Sequence, residues 1–582
     1  ILIIMGVSIN TTKSLGVSMG NKITPPQSTI DPALILKYTT TTSSESIEVK
    51  TGGSGLNYDV DWGDSSSDSA VTTATKTHTY SVAGTYTVKI TGVFPEPSFG
   101  TMSSTNRAKL VEMSNWGTIQ YTSLHNAFED CSNMQYSATD APDLSTASAS
   151  TSNMFREMFK NCDGITGNVD LSSWTNLTCA GANGLYFMFA GCHNMDSVNL
   201  TGWNVSNATN CQSVFNAVGT GTTNGCTFIL DDMNWSSNQT FLNCIYATKI
   251  NTISLDNWVL KPSGTVILQG FLRGSNTPNA TLTLDLSGWT NTAQISTLYQ
   301  SFHTSEFTSI NITGWDTSNV TTMAYMFYQI TELTEIVGLS SLKGDSVTTI
   351  EQMFNACKNL SFASHNFDST AWGASLTNLT NLKNTFNQCS YDTPSTAPNV
   401  TNWHTDSVTT MDSTFYNAKF TTALDVSSWD FSSTTTLYRF LRGCIGTTSI
   451  TFSNVSSSCT TMGQIAYAAT DLVTVIFDAT CNLSGVTTFT SAFSGATALT
   501  TITFDASVSF AAVTVWSNAF TGVTLNVASY DAILIRNDAT NSNSPVTLGG
   551  GNSKYSCATS AAATARAALI TAGWTIGDGG CI

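Results

Sequence analysis

Charged side chains are scarce in this chain. Asp, Glu, Lys and Arg make up 10% of its 582 residues, against roughly 25% in an average soluble protein. The charge present is mostly of one sign, since Lys+Arg 22 against Asp+Glu 39 leaves −17 at pH 7. That field repels phosphate backbones and anionic lipid heads, which argues against nucleic acid and membrane surfaces as partners. Long apolar runs are missing as well: no segment reaches the roughly 18 uninterrupted apolar residues of a membrane span, so no membrane insertion is expected. The Ile1–Val7 stretch is apolar but short for a signal sequence, with no preceding basic region and no small-residue cleavage site. Ile1, with Met5 close behind, reads as either a processed product or a start placed too early. Gly579-Gly580-Cys581-Ile582 adds no hydrophobic tail, so the chain reads as soluble and without a self-anchor. There is no Cys-x-x-Cys pair, and the six histidines (His78, His125, His193, His303, His365 and His404) are scattered, so zinc is not expected. Neither a nucleotide loop nor a nucleophile elbow with triad partners stands out. No cofactor, metal site or catalytic residue is assigned.

Hydrophobic residues at 41% and aromatics at 10% are ample for a core, which excludes global disorder. A mass of 62.0 kDa is too large for one ordinary core, so several domains or a repeat array are expected. With so little charge, the polar surface has to be built from Ser, Thr and Asn. A neutral, hydroxyl-rich exterior suits an exposed structural or adhesive protein better than a cytosolic enzyme.

Residues from about 35 to 95 read as short strands. Ser46-Ile47-Glu48-Val49-Lys50, Tyr58-Asp59-Val60-Asp61-Trp62 and Thr85-Tyr86-Thr87-Val88-Lys89-Ile90 alternate with period two, the pattern of an antiparallel β-sandwich. Asp59, Asp61, Asp64 and Asp68 cluster here. Their spacing does not fit an EF-hand loop, and a turn at Trp62-Gly63-Asp64 is the better explanation. Trp62-Gly63-Asp64, then His78-Thr79-Tyr80, then Gly84-Thr85-Tyr86-Thr87-Val88 resembles the polycystic-kidney-disease (PKD) domain family. That resemblance implies an immunoglobulin-like extracellular spacer without catalytic activity.

Internal repetition dominates the rest. A phenylalanine recurs at Phe128, Phe159, Phe189, Phe215, Phe241, Phe271, Phe302, Phe327, Phe354, Phe386, Phe415, Phe440, Phe493 and Phe520, with Ile465 filling the one gap, at a mean period of about 28 residues. A tryptophan column runs through Trp174, Trp203, Trp235, Trp258, Trp289, Trp315, Trp372, Trp403 and Trp429, with Trp116 in front. In the copy Ile310 to Phe327 the opening alternates as a strand, and Val320, Met323, Phe327 and Ile330 then follow helical spacing behind residues able to cap a helix. Each unit thus reads as one strand, one turn and one short helix, whose faces are buried only by stacking about fifteen coils into a rod of about 70 Å. Asp316-Thr317-Ser318-Asn319-Val320-Thr321 and the runs Met158-Phe159-Lys160-Asn161-Cys162 and Met353-Phe354-Asn355-Ala356-Cys357 are similar to the BspA-type leucine-rich repeats of bacterial surface proteins. After residue 445 the tryptophan column ends and the strands become Ile450-Thr451-Phe452, Val475-Ile476-Phe477 and Ile502-Thr503-Phe504. The fold expected is a leucine-rich-repeat-like solenoid preceded by a small immunoglobulin-like β-sandwich. Its segments are a 1–34 extension, a 35–95 sandwich, a 96–523 array and a 524–582 cap containing an Ala-rich helix.

Three columns invite functional readings. Three residues past the phenylalanine stand Cys131, Cys162, Cys192, Cys244, Cys357, Cys389 and, if Leu441 takes the phenylalanine place, Cys444. Other copies carry Val218, Ile330, Ala418, Ala496 or Val523 there, which points to packing. Cys557 and Cys581 are either free or paired. The tryptophans either display rings for sugar stacking or form a buried ladder, and Met and Phe partners at fixed offsets favour the ladder. Asp170, Asp256, Asp285, Asp316, Asp425 and Asp430 recur near the strands. A glycosidase needs its acid pair once, whereas a turn-capping Asp recurs everywhere. Asn-x-Ser/Thr triplets such as Asn199-Leu200-Thr201, Asn319-Val320-Thr321 and Asn399-Val400-Thr401 fall on the repeat pattern and read as turn chemistry.

The function expected is non-enzymatic exterior recognition or adhesion, with a host surface protein or polysaccharide as partner. The BspA resemblance implies a bacterial surface. The chain shows no lipobox or sortase signal, and buried thiols suit assembly in a reducing cytosol, so the alternative is a phage structural fibre or decoration subunit, or an appendage subunit with an architectural role, attached to other virion or surface-layer subunits through residues 1–34. A polysaccharide-cleaving tailspike is a further one.

Overall fold

The computed structural model describes residues 31–148, 153–174, 184–278, 281–363, 372–557 and 559–582. Most of the expected attachment segment (residues 1–30), Cys179 and His365 lie outside the described residues.

Alternation builds the N-terminal strands. In β1 (Leu34–Thr40) and β2 (Glu45–Gly52) the side chains of Leu34, Leu36, Tyr38, Ile47 and Val49 are buried at every second position, as a half-buried strand requires. With β3 (Asn57–Asp61), β4 (Ser67–Val71), β5 (Thr75–Tyr80), β6 (Gly84–Val93) and β7 (Glu96–Pro97), they form one group ordered β4-β3-β6-β1 and another ordered β5-β2-β7. The first group continues past residue 95. β1 also pairs antiparallel with β8 (Leu110–Asn115), which pairs in parallel with β9 (Gln135–Tyr136). One sheet therefore runs from the N-terminal strands into the first coils. The array's first edge, a ready template for mispairing, is covered by β1.

From there the chain winds as a β-solenoid of about 17 turns. At ~4.8 Å per coil the stack is about 80 Å long. Short parallel strands line one wall in matched register: Val169, Val198, Phe228 and Ile253 are successive partners, then Leu284, Ile310 and Ile336, then Ile450, Val475 and Ile502. A second ladder of single bridges runs Thr297, Thr322, Thr349, Asn381, Thr410, Thr436, Thr461, Thr488 and Val515. Stacking matters because a lone coil offers its apolar side chains nothing to pack against.

Among the described residues, the short helix expected behind the strand of each coil does not form. In the copy around Phe327, the N–H groups of Met323, Tyr325, Phe327 and Gln329 donate to Thr349, Glu351, Met353 and Asn355 of the next coil. Those of Met326, Tyr328 and Ile330 close four-residue turns on Met323, Tyr325 and Phe327. Tyr325 and Gln329 have positive φ, at 59° and 56°, the sign a type II turn needs at its third residue. The same pair of positive-φ positions, four residues apart, recurs at Glu157/Asn161, Ser213/Ala217, Gln352/Ala356, Asn384/Gln388 and Gln464/Ala468. A double turn repeating every four residues points Met323, Met326, Phe327 and Ile330 inward, which copies the 3,4 spacing of an amphipathic helix. All these backbone donors are satisfied, alternately within and between coils.

At the far end the helix Val527–Thr540 packs on the strand Thr501–Phe504 and on the Ala-rich helix Ala561–Thr571. Asn526 and Ser560 cap the two helices, accepting from Ser529 N and Ala563 N. Cys557 and Cys581 form a disulfide.

Candidate functional site

The aromatic columns are the spine of the core. Phe128 and Phe159 stack with ring centres 5.8 Å apart, Phe189 and Phe215 at 5.6 Å, and Phe386 and Phe415 at 5.3 Å, all within 7° of parallel. The positive-φ pairs fix the register of the coils and correct it at four. Ile245, Leu272 and Ala466 hold the phenylalanine place, between Asn243/Ala247, Gly270/Gly274 and Gln464/Ala468. Phe241, Phe271 and Ile465 therefore sit elsewhere in the turn, and Cys244 leaves the cysteine column. At the fourth, Leu441 takes the phenylalanine place from Phe440, between Arg439 and Gly443, which keeps Cys444 in the cysteine column.

The tryptophans form a buried ladder, so none of these rings is open to a sugar. Trp174 stacks on Trp203 at 5.6 Å, Trp258 on Trp289 at 4.9 Å and Trp403 on Trp429 at 5.9 Å. The indole N–H groups of Trp203, Trp258, Trp289, Trp315 and Trp429 donate to the carbonyls of Leu171, Leu230, Leu255, Leu286 and Val400 in the preceding coil. Where tryptophan is lost, Phe452, Phe477 and Phe504 stack at about 5 Å beside the small buried residues Val455, Cys481 and Val508.

The cysteine column is packed and reduced. The Sγ–H groups of Cys162, Cys192 and Cys357 donate to the carbonyls of Phe128, Phe159 and Phe327 one coil back. Ser275 makes the same bond to Ile245 with its hydroxyl. Burial pushes the Cys192 and Cys389 thiols up to about 12, so the reactive thiolate is suppressed.

The carboxylates are mostly occupied by their own turns. Asp170, Asp285, Asp316, Asp425 and Asp430 each accept from the N–H two residues on, as do Asn199 and Asn399. Asn319 instead donates its amide to the Ala293 carbonyl. In the N-terminal strands Asp59 accepts from Ala70 N, Asp61 from Gly63 N, Asp64 from Ser66 and His78, and Asp68 from Trp62 Nε1. Among the described residues no group of three or more His, Cys, Asp or Glu is placed to hold a metal. Asp256 is the exception to this pattern. Desolvation, then the charges of Asp231 and Asp285, raises its pKa, yet its side chain is exposed.

Two outward faces remain. On one, Thr321, Thr348, Thr380, Thr409, Thr435, Thr460, Thr487 and Thr514 form an unbroken exposed column. From Thr348 onward each gives both its N–H and its Oγ1–H to the carbonyl of the threonine before it. The hydroxyl proton is thereby fixed toward the neighbour, and the oxygen lone pairs face solvent as a row of acceptors. The other face is the outside of the double turns. It carries half-exposed Tyr246, Tyr328, Tyr416, Tyr438 and Tyr467 with Arg273, Arg439 and Arg442. The sequence hides both faces in single copies. Aligning copies on the corrected phenylalanine place brings Tyr416, Arg442 and Tyr467 into one column.

The family described as "Mycoplasma protein of unknown function, DUF285" matches residues 98–228, 275–391 and 380–505, more than half of the chain and all within the solenoid. Neither a curated protein nor a solved structure matches it. The repeating coil of strand, tryptophan corner, threonine bridge and double turn is this family's unit here, and the chain belongs to the DUF285 repeat family.

Proposed function

We propose that this chain is a non-enzymatic recognition or adhesion protein of BspA-like type, displayed on a bacterial surface or a phage virion. In this reading the N-terminal strands are a PKD-like, immunoglobulin-like spacer, and residues 1–34 attach the protein to its carrier. The observation that carries the reading is the threonine column, a straight row of fixed hydroxyl acceptors at coil spacing. Polysaccharides are rich in O–H donors, and weak bonds repeated along a rigid rod sum to useful affinity. Immunogold labelling of intact cells and purified virions tests the location; label confined to the cell interior contradicts it. Replacing Thr380, Thr409 and Thr435 by Val keeps the strand preference and removes the acceptors. Glycan binding by this face should drop at least tenfold.

A hydrolytic tailspike has the raised Asp256 pKa in its favour. It predicts that the chain shortens a polysaccharide it binds and that Asp256→Asn abolishes the shortening. The recognition reading predicts binding with the polymer length unchanged.

A further inference from the structure

The double-turn face treats charge differently along its length. Near the start of the array Lys160 meets Glu129 at 2.9 Å and Glu157 at 3.1 Å, and Arg156 meets Glu157 at 3.2 Å. Further along the same face, Arg439 and Arg442 make no ion pair among the described residues. Both guanidinium groups converge instead on one neutral acceptor, Oε1 of Gln464 in the next coil, with Arg439 Nε at 3.0 Å and Arg442 Nη1 beside it. Tyrosines flank them. Arg442 Cζ lies 5.3 Å from the Tyr416 ring centre and 4.7 Å from that of Tyr467, and Arg439 Cζ lies 4.5 Å from that of Tyr438. Acids on nearby turns are engaged elsewhere: Asp412 accepts from Ser413 Oγ, and Asp471 from the Gly446 amide. In a chain of net charge −17, this is a local reversal of sign.

Two guanidinium groups held side by side repel each other, and a single amide oxygen offsets that only in part. A bound oxyanion completes the set, because forked N–H donors match the two oxygens of a carboxylate. The half-exposed tyrosine rings offer faces on which a pyranose packs. We infer that Arg439, Arg442 and Gln464, with Tyr416, Tyr438 and Tyr467, bind a sugar carboxylate: one uronate unit of an acidic polysaccharide. This rests on the recognition reading and adds to it a ligand class and a second binding face. A phosphate-dense polymer meets the repulsion of the whole chain, whereas a single carboxylate per sugar needs only the local pair.

The test is calorimetric titration of the full chain with oligogalacturonate at low salt. Saturable binding is expected, at least tenfold weaker for R439Q/R442Q and at least tenfold weaker for the uncharged oligogalactose. R439K/R442K keeps the charge without the fork and should fall between. R156Q/K160Q, which removes the paired cations, should bind as the unaltered chain does. Melting temperatures within a few degrees of one another show that the variants fold. The inference is overturned if oligogalacturonate does not bind, if R439Q/R442Q binds it equally well, or if polyglutamate or inorganic sulfate binds as tightly. The titration does not depend on where the protein is displayed. An interior location therefore defeats only the adhesion reading, and glycan binding indifferent to both arginines defeats only this one.

Discussion

Trp315 and Leu286 sit one coil apart, and the Trp315 indole N–H donates to the Leu286 carbonyl at 2.9 Å. The ring is buried and stacks on Trp289 at 5.5 Å. One side chain thus does two tasks at the corner, filling the interior and fixing the rise between coils. Trp315→Phe keeps most of the packing and loses the bond, and should cost about 1 kcal/mol. Trp315→Ala leaves a cavity and should cost about 3–5 kcal/mol. Urea midpoints of the two variants give this order; a Phe variant as stable as the unaltered chain would mean that the hydrogen bond contributes nothing.

Ala468 separates a double turn from a helix by the sign of a single substitution. It has φ of 55°, where a side chain is strained by roughly 1–2 kcal/mol and glycine is not. Ala468→Gly should therefore stabilise the chain by up to about 1 kcal/mol. In a helix the same change would destabilise it by about 1 kcal/mol. Thermal melting reads the direction.

His303 gives the array a pH dependence. Burial first, and Arg273 second, lower its pKa from 6.5 to about 4. The folded chain therefore binds fewer protons here than the unfolded chain. The contribution of His303 is intact above pH 6.5 and is lost as pH falls toward 4. His303→Gln should flatten that part of the stability curve, measured by denaturant unfolding at pH 7, 5.5 and 4.5. An unchanged slope would contradict the burial argument.

The recurrence of Phe128, Phe159 and Phe189, and of Trp258, Trp289 and Trp315, makes stacking legible in the sequence, because burial between coils is the economical reason for a large apolar residue to return at a fixed period. The double turn is not legible, since Met323, Phe327 and Ile330 are inward in both a helix and a pair of type II turns. Only the sign of φ at Tyr325 and Gln329 separates them, and neither residue is glycine. The displaced register at Phe241 is hidden because Ile245 fills the same space. The continuous sheet across β1 and β8 joins residues about 75 apart and leaves no local trace. The arginine pair is invisible for a similar reason: its tyrosines come from three coils with no motif in common.

The recurrent phenylalanine, tryptophan and cysteine columns are buried by contact between windings. Thiol labelling of the native chain with maleimide at pH 8, followed by mass spectrometry, tests this most directly. Cys131, Cys162, Cys192, Cys357, Cys389 and Cys444 are buried, and burial raises the pKa of each thiol. All six should stay unlabelled for hours in buffer and label within minutes in denaturant. Labelling of Cys192 or Cys357 in buffer at the rate of a free thiol would contradict the burial of these columns.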